Sequence, residues 1–460
     1  MHGKRFREYS PNQIMALPPS LEEWLPADHP VYFISDTVDQ FDLSPIHADY
    51  RERRGQPPYN PRMMVKVWFY GYCRGIRSSR RLERALHEDV GFRILAANQQ
   101  PDHWTLSEFR RRHHRALGDL LKETVRVAAQ SGLVRLEHVA VDGTKVKANA
   151  SKHSAMSYGR MKAELDQAAR EIDAYLEEVE ANDAAEDKQF GKDSGWRLPP
   201  ELRDRQKRLE AIRRAKARLE AEARARAEAE QVRRQDKAAR EGRLYKPRKE
   251  AQTARPADKD QLNFTDPDSR IMKNSDKAFI QGYNAQAAVD AQTHLIVAAD
   301  LTNQASDAPH LVSTLEQVKD NTGSAPKELS ADAGYWSEDN LAALAQRGIE
   351  AFIPPDKVKH SEWRNQTPPD EPIPKAATPR EFMRHKLRTE EGRARYKLRQ
   401  TSVEPVFGHI KEAMGFRQLL LRGEQKARSV WRFQCAAFNL MKLYWHRTLE
   451  GQGQAAPAAG

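Results

Sequence analysis

Residues 137–142, EHVAVD, are the point at which the sequence changes from helical to strand periodicity. Apolar and β-branched residues follow one another up to Asp142, which is typical of a buried strand. The next two residues, Gly143-Thr144, predict a turn, so the strand should end at Asp142 and leave its carboxylate at the edge of a sheet. Taken alone, the Asp-Gly pair is better explained as a tight turn with no further role.

Upstream of this strand the pattern predicts three helices. Asn60-Pro61 opens the first, because asparagine is a good N-cap and proline suits the first helical position. Its residues MMVKVWFYGYC are apolar almost all round, which indicates a buried helix. We expect the second helix over 79–90 and the third over 105–121, the latter opened by a Thr105/Glu108 capping box.

Downstream of residue 262, short strands alternate with helices. A hairpin is expected over 278–301, with Asp290 as a structural residue of its turn. A helix should open at Thr378-Pro379, where Glu381 completes a capping box. Further helices are predicted at 308–318, 337–346 and 430–445, and strands at 328–332 and 349–354, which together give a mixed α/β half of the chain.

Between these halves, residues 157–262 form a charged helical insertion. Leu165, Ile172 and Val179 recur every seven residues, and the same spacing separates Leu202 from Leu209 and Ile212 from Leu219. Residues 161–190 carry 3 basic against 10 acidic side chains, whereas 201–250 carry 18 against 10, so the two arms have opposite charge. The pattern predicts two long antiparallel helices with a coiled-coil-like seam. The alternative is a solvated, partly disordered charge run.

The overall composition points to a polyanionic partner and a reducing compartment. A net charge of +11 over 460 residues favours nucleic acid, although many basic proteins bind none. The two cysteines lie in apolar stretches, so we expect neither a disulfide framework nor a cysteine metal site. The N-terminus has no apolar segment of a signal peptide and no run is long enough for a membrane span, which predicts a cytoplasmic protein.

Three carboxylates are candidates for a metal-dependent phosphoryl-transfer site. Asp142 and Asp332 each end a predicted strand, and Glu404 lies near the start of a predicted helix, with Pro405 at its first position. Divalent ions such as Mg²⁺ prefer such oxygen ligands, and two ions can activate the attacking oxygen and neutralise the leaving one. Each residue also has a structural explanation: a turn for Asp142, a helix cap for Asp332 and a favourable helix-dipole contact for Glu404.

Cationic and aromatic side chains accompany the third carboxylate. Lys411 follows Glu404 by seven residues, so both share one helical face, and Tyr396 and Arg399 precede it one turn apart. These side chains would suit a DNA backbone, although a plain surface lysine is the simpler interpretation of Lys411. In the third N-terminal helix, FRRRHHR predicts a phosphate-contacting face with Arg110, Arg111 and Arg112, against the alternative of a solvated basic face.

At these residues the chain resembles the insertion-sequence transposases of the DDE superfamily, in the branch with a Y-R-E-K signature. YKLRQTSVEPVFGHIK carries Tyr396, Arg399, Glu404 and Lys411, with four residues between the arginine and the glutamate where the commonest form has three. Further matching stretches are QIMALPPSLEEWLP, GYCRGIRSSRRLE, PDHWTLSEFRRRH, VAVDGTKVKANAS and ADAGYW, so that the resemblance covers most of the chain.

The resemblance implies a ribonuclease-H-like fold and a transposase that binds transposon ends. It implies that Asp142, Asp332 and Glu404 hold two Mg²⁺ or Mn²⁺ ions, that water cuts the phosphodiester, and that the freed 3′-OH attacks target DNA. The partners would be double-stranded DNA, both inverted-repeat ends and target, and a second copy in a homodimer, in the nucleoid of a bacterial cytoplasm. No other cofactor is expected.

The predicted organisation is therefore α/β, a ribonuclease-H-like mixed sheet flanked by helices, with an N-terminal helical domain and a coiled-coil-like insertion. Two other functions remain open from the sequence: a ribonuclease-H-like nuclease without strand transfer, and an inactive, transposase-derived DNA-binding protein. The predicted boundaries are 1–130 for the DNA-end-binding domain, 131–156 and 263–448 for the catalytic domain, 157–262 for the insertion, and 449–460 for a disordered tail.

Overall fold

The computed structural model describes most of the chain in seven ranges. Predictions for the segment around 358–376, for the tail and for Ile172 and Val179 lie outside them. The described residues are 20–50, 57–171, 200–240, 242–245, 253–274, 277–357 and 377–451.

The first part of the chain is helical, as the sequence predicts. Asn60 accepts a hydrogen bond from the backbone N–H of Arg62 at 2.9 Å and Pro61 follows it, so the first predicted helix begins where expected. Ten of that helix's thirteen residues are buried, which confirms the expectation drawn from its apolar character. The helices are α1 (Pro30–Asp39), α2 (Ser44–His47), α3 (Pro61–Cys73), α4 (Ser79–Glu88), α5 (Val90–Leu95), α6 (His103–Arg112) and α7 (His114–Gln130).

Two predicted helices are each divided in the structure. Asp89 ends α4 and caps α5 by accepting a hydrogen bond from the Gly91 N–H at 2.8 Å. The predicted end of the helix expected over 79–90 was therefore wrong. The capping box predicted at Thr105 was also wrong, because Asp102 is the cap and accepts from the Thr105 N–H at 2.7 Å. A break at His113 then separates α6 from α7.

A mixed sheet forms the centre of the molecule. Its central strand β1 pairs antiparallel with β5 and parallel with β7; β6 and β4 both pair with β5 on its far side, and β8 pairs with β7. The order β6–β5–β1–β7–β8, three antiparallel strands followed by two parallel ones, is the predicted ribonuclease-H-like arrangement. The strands are β1 (His138–Lys147), β4 (Arg270–Lys273), β5 (Phe279–Asp290), β6 (Ile296–Thr302), β7 (Glu328–Ala331) and β8 (Glu350–Phe352), while β2 (Ala155–Ser157) and β3 (Gln261–Asn263) pair separately.

Helices cover both faces of this sheet. Ala285 and Ala287 of β5 pack into a core with α7 and the C-terminal helix, while Ala288 faces a second core with Leu315. Parallel strands need such crossover helices between them. The capping box at Thr378 and Glu381 is confirmed. The remaining helices are α8 (residues 158–171), α9 (Pro200–Arg240), α10 (Leu311–Thr322), α11 (Glu338–Gln346), α12 (Pro379–Arg388), α13 (Glu390–Lys411) and α14 (Glu424–Gly451).

The insertion is folded where the structure describes it. Tyr158 of α8 donates to Glu220 of α9 at 2.7 Å, whereas Arg208 donates to Glu164 at 3.1 Å, so the two helices run antiparallel. The latter contact joins the acidic arm to the basic arm, as the charge pattern predicts. A separate small core fills the seam between them, formed by Met156, Tyr158, Met161, Ile212, Ala215, Leu219 and Leu262.

The N-terminal helices share the main core with the rest of the chain. Trp68 of α3, Leu120 of α7 and Trp431 of α14 belong to one cluster of buried side chains that continues onto the sheet. The main core is therefore continuous across residue 130, and the domain boundary expected there stays a prediction. In the ranges described above, no helix combines the length and the apolar character needed to cross a bilayer.

Candidate active site

Asp142 lies inside the central strand and not at its end. The prediction of a turn at Gly143-Thr144 was wrong: β1 continues to Lys147, and β5 pairs with it throughout, with Asp142 opposite Ala287 and Gly143 opposite Gln286. The ladder of hydrogen bonds to β5 outweighs the local turn preference of Asp-Gly, because it satisfies the same backbone groups over a longer stretch.

Asp332 comes to lie beside Asp142 through the register of two parallel strands. Ala331 is the last residue of β7 and pairs with Val141, so the residues that follow each of them are Asp332 and Asp142. Asp332 also accepts a hydrogen bond from the Gly334 N–H at 2.8 Å and caps the short turn over Ala333–Tyr335. The capping role suggested by the sequence is therefore present together with the proximity to Asp142.

Glu404 reaches this position from α13. The helix runs through Pro405, so the placement of that proline at a first helical position was wrong. Arg399, from the same helix, connects the carboxylates: its Nη1 lies 2.6 Å from Asp142 Oδ2 and its Nη2 lies 3.2 Å from Glu404 Oε1. Only 13% of the Arg399 side chain is exposed, against 53% for Glu404, so the guanidinium lies inside the site and the glutamate at its rim.

The electrostatics of Asp142 follow from this enclosure. Burial is the main cause that raises the pKa of Asp142 to about 7; Arg399 acts in the opposite direction, and the charges of Asp332 and Asp307 act in the same direction as burial. A carboxylate in this state favours a cation beside it, because a positive charge offsets the cost of holding the anion out of water.

Two of the three predicted carboxylates contact Arg399, and the three are not collected around one point. Asp142 and Glu404 contact it directly, and the charges of Asp142, Glu404 and Asp332 all raise its pKa against the opposing effect of burial. Within the described ranges, no group of three or more His, Cys, Asp or Glu side chains is arranged as a metal site.

The other residues of the signature surround the same place. The Arg399 guanidinium lies 5.9 Å from the centre of the Tyr396 ring, which packs beside Phe352 and Leu387. Lys411 donates a hydrogen bond to the Thr144 hydroxyl, two residues beyond Asp142. Two cations of α13 therefore lie along β1, one at Asp142 and the other at Thr144.

The basic group of α6 divides between core and surface. Arg110 is buried, with its guanidinium 4.6 Å from the centre of the Trp68 ring and its Nη1 bound to the Arg77 carbonyl at 2.7 Å. Arg111 is exposed and paired with Glu108, and Arg112 is exposed beside Asp49. Arg111 and Arg112 are thus the members of this group that a DNA backbone could reach without rearrangement.

Sequence inspection missed a polar group beneath the two aspartates. Asn284 and Gln286 are buried in β5 and donate hydrogen bonds to Asp307, and the Tyr335 hydroxyl donates to Gln286. The signal was present, because Asn284 and Gln286 occupy alternate positions in an otherwise apolar strand and therefore point to one face. Asp307 follows the next strand in a polar loop and had no distinguishing pattern of its own.

Two transposase family models match parts of the chain. A family model described as "Transposase domain (DUF772)" matches residues 19–112, and one described as "Transposase DDE domain" matches residues 252–440. Together they cover more than half of the chain. Asp332 and Glu404 fall inside the second range, whereas Asp142 lies in the insertion-bearing stretch between the two ranges.

Matches outside the family models are sparse. No curated protein matches the chain. A solved structure described as a pre-cleavage Mos1 transpososome aligns at 9% identity over 88% of this chain and 82% of that chain, with a TM-score of 0.18. At that TM-score the likeness carries no argument.

Proposed function

We propose that this chain, which belongs to the DDE transposases, cuts DNA at the ends of a mobile element and joins the freed 3′ ends to a target. The proposal places the chemistry at Asp142, Asp332 and Glu404. The observation that carries it is the register of β1 and β7, which sets Asp142 and Asp332 side by side within a ribonuclease-H-like sheet.

The residues present fit divalent metal ions, which the DDE transposases generally use. Asp142, Asp332 and Glu404 offer only oxygen donors, the type that Mg²⁺ and Mn²⁺ prefer, and burial of Asp142 beside Asp332 leaves negative charge that a cation would relieve. We propose two bound ions. When bound, they would supply activation of the attacking oxygen and neutralisation of charge on the scissile phosphate.

The chain's own cations would orient the DNA. Arg399 lies between Asp142 and Glu404, and Lys411 lies at Thr144, so both are placed to face phosphates that approach the carboxylates. Tyr396 supports Arg399 through its ring. At the other end of the chain, Arg111 and Arg112 are exposed and are proposed to contact the backbone of the element's ends.

Joining two ends to one target requires both to be held together. A homodimer with one active site for each end is the simplest assembly that does so, and we propose it for this protein. The DNA partners are double-stranded: the inverted-repeat ends and the target.

The test is cleavage of a duplex carrying the inverted repeats that flank the coding region, in Mg²⁺, with a second duplex as target. Asp142→Asn, Asp332→Asn and Glu404→Gln should each lower cleavage by about a hundred-fold or more, because each removes a charge that acts in the transition state. DNA binding in a chelator should be unchanged. Asp339→Asn, at an exposed aspartate of α11, is the matched control and should cleave normally.

Two results would contradict the proposal. Cleavage without any joined product, given 3′-OH ends and target DNA, would identify a nuclease. Binding to the ends without cleavage by the wild-type protein would identify an inactive DNA-binding relative of the transposases.

A further inference from the structure

Asp307 is a carboxylate held in a fixed orientation close to Asp142. It lies between β6 and the short turn Ala308–His310. Its Oδ1 accepts hydrogen bonds from Asn284 Nδ2 at 2.6 Å and from Gln286 Nε2 at 2.8 Å, and Lys145 Nζ lies 3.5 Å away. The Asn284 amide is thereby oriented, because exchanging its oxygen and nitrogen would place two acceptors against each other.

The two oxygens of Asp307 face the two segments that carry the aspartate pair. A Cβ atom added to Gly143 would lie 2.8 Å from Asp307 Oδ1, and one added to Gly334 would lie 3.1 Å from Asp307 Oδ2. Gly143 follows Asp142, and the backbone N–H of Gly334 binds Asp332. The Asp307 carboxylate therefore fills the space between the backbone after Asp142 and the turn after Asp332.

A second connection runs through Gln286 to the same turn. Gln286 donates to Asp307 through its nitrogen and accepts through its oxygen from the hydroxyl of Tyr335, the last residue of the turn that Asp332 caps. Gln286 and Tyr335 are buried, so the hydrogen bond between them does not compete with bulk water.

We propose that Asp307 is a positioning residue, which fixes the backbone segments after Asp142 and Asp332 relative to each other through Asn284, Gln286 and Tyr335. The proposal deepens the proposed function and rests on it. Two neighbouring carboxylates repel, and a catalytic group must be held to within about half an ångström of its productive position. The contacts of Asp307 provide that restraint from below the pair.

The test compares Asp307→Ala with Asp307→Asn. The asparagine oxygen can still accept from Asn284 and Gln286, whereas alanine accepts nothing. Asp307→Ala should lower the cleavage rate at saturating DNA by about thirty-fold or more, with the dissociation constant for end DNA in a chelator unchanged within about three-fold. Asp307→Asn should keep the rate within about three-fold of wild type.

A readout independent of catalysis distinguishes this proposal from the proposed function. In the metal-free protein, hydrogen exchange at the amides of Gly334 and Tyr335 should be faster in Asp307→Ala than in wild type, and near wild type in Asp307→Asn. Asp300→Ala is the matched control, since Asp300 is equally exposed but pairs with Arg428. It should leave both amides and the cleavage rate unchanged.

Several outcomes would overturn the proposal. If hydrogen exchange at the Gly334 and Tyr335 amides of Asp307→Ala has the wild-type rate, the proposal is wrong, even if the protein proves not to cleave DNA. An Asp307→Asn variant as inactive as Asp307→Ala would show that the charge matters and not the hydrogen bonds. If Asp307→Ala fails to fold, Tyr335→Phe takes its place, because it removes only the hydroxyl that donates to Gln286. Cleavage by Tyr335→Phe at the wild-type rate would refute the proposed connection through Gln286.

Discussion

Asp142 combines burial, a like-charged neighbour and a single guanidinium partner. Burial raises its pKa to about 7 from an ordinary value of 3.8, which means that the folded protein holds this proton more tightly than the unfolded chain does. The stability that the protonated Asp142 carboxyl contributes is therefore fully present below about pH 4, and it is lost as the pH rises through 7. A residue that costs stability at the pH of its use is typical of a functional site.

The first prediction concerns the stability of Asp142→Asn in a chelator. At pH 8 the variant should be more stable than wild type by about 1–2 kcal/mol, and the difference should shrink toward pH 5. If the carboxylate were fully enclosed, this pKa shift would correspond to a stability difference of about 4 kcal/mol. The expected difference is smaller because 16% of the Asp142 side chain is exposed to solvent. Urea unfolding at both pH values measures it, with Asp119→Asn, at an exposed aspartate of α7, as the control. If the variant is less stable than wild type at pH 8, burial is not what raises the pKa of Asp142.

At the scale of single elements, β1 and α13 form the candidate site together. β1 supplies Asp142 from its middle, and α13 supplies Arg399, Glu404 and Lys411. Val403 and Ile410 of α13 lie in the main core, so the polar side of the helix is held toward the strand by its apolar side. This packing places the signature residues, which are near one another in sequence, against an aspartate more than 250 residues away.

The second prediction uses a glycine of each element. A Cβ at Gly143 of β1 would lie 2.5 Å from Gln286 Nε2, whereas one at Gly408 of α13 would meet nothing within 4 Å. Gly143→Ala should lower the free energy of unfolding by about 1–3 kcal/mol, because the amides beneath it must move. Gly408→Ala should raise it by about 0.5–1 kcal/mol, because alanine favours a helix. Chemical denaturation measures both, and a neutral Gly143→Ala would contradict the close approach.

Over the whole molecule, hydrophobic side chains divide into a main core and a separate seam in the insertion. The main core joins the N-terminal helices, the sheet and α14, while the seam between α8 and α9 has its own cluster. Ion pairs such as Arg218 with Asp268 and Arg270 with Glu222 connect α9 to the region before β4 and to β4 itself. The insertion is thus attached mainly through polar contacts, and we expect it to unfold locally without loss of the main core.

The third prediction compares one leucine from each cluster. Leu219 of α9 and Leu440 of α14 are both buried, and a Leu→Ala change costs about 2–5 kcal/mol at such positions. Leu219→Ala should speed tryptic cleavage within 200–240 while the thermal midpoint of the main core is unchanged. Leu440→Ala should lower that midpoint by several degrees. A lower main-core midpoint in Leu219→Ala would show that the two clusters unfold as one.

The sequence by itself determined the features that depend on neighbouring residues. The caps at Asn60 and Thr378 are as expected, because a cap involves only a side chain and backbone groups two or three positions away. The antiparallel pairing of the insertion also followed from heptads and charge. The family was evident from stretches such as ADAGYW and the signature around Glu404, which carry the residues of the proposed site.

Tertiary structure alone decided the features that depend on distant partners. Asp-Gly at 142–143 has the local chemistry of a turn, yet pairing with β5 keeps it in a strand. The bridge from Arg399 to Asp142 and the hydrogen bond from Gln286 to Asp307 depend on the register of strands and the crossing of a helix. Burial and long-range hydrogen bonds together contribute more free energy than the local conformational preference of a residue. Inspection of a sequence shows only the local preference.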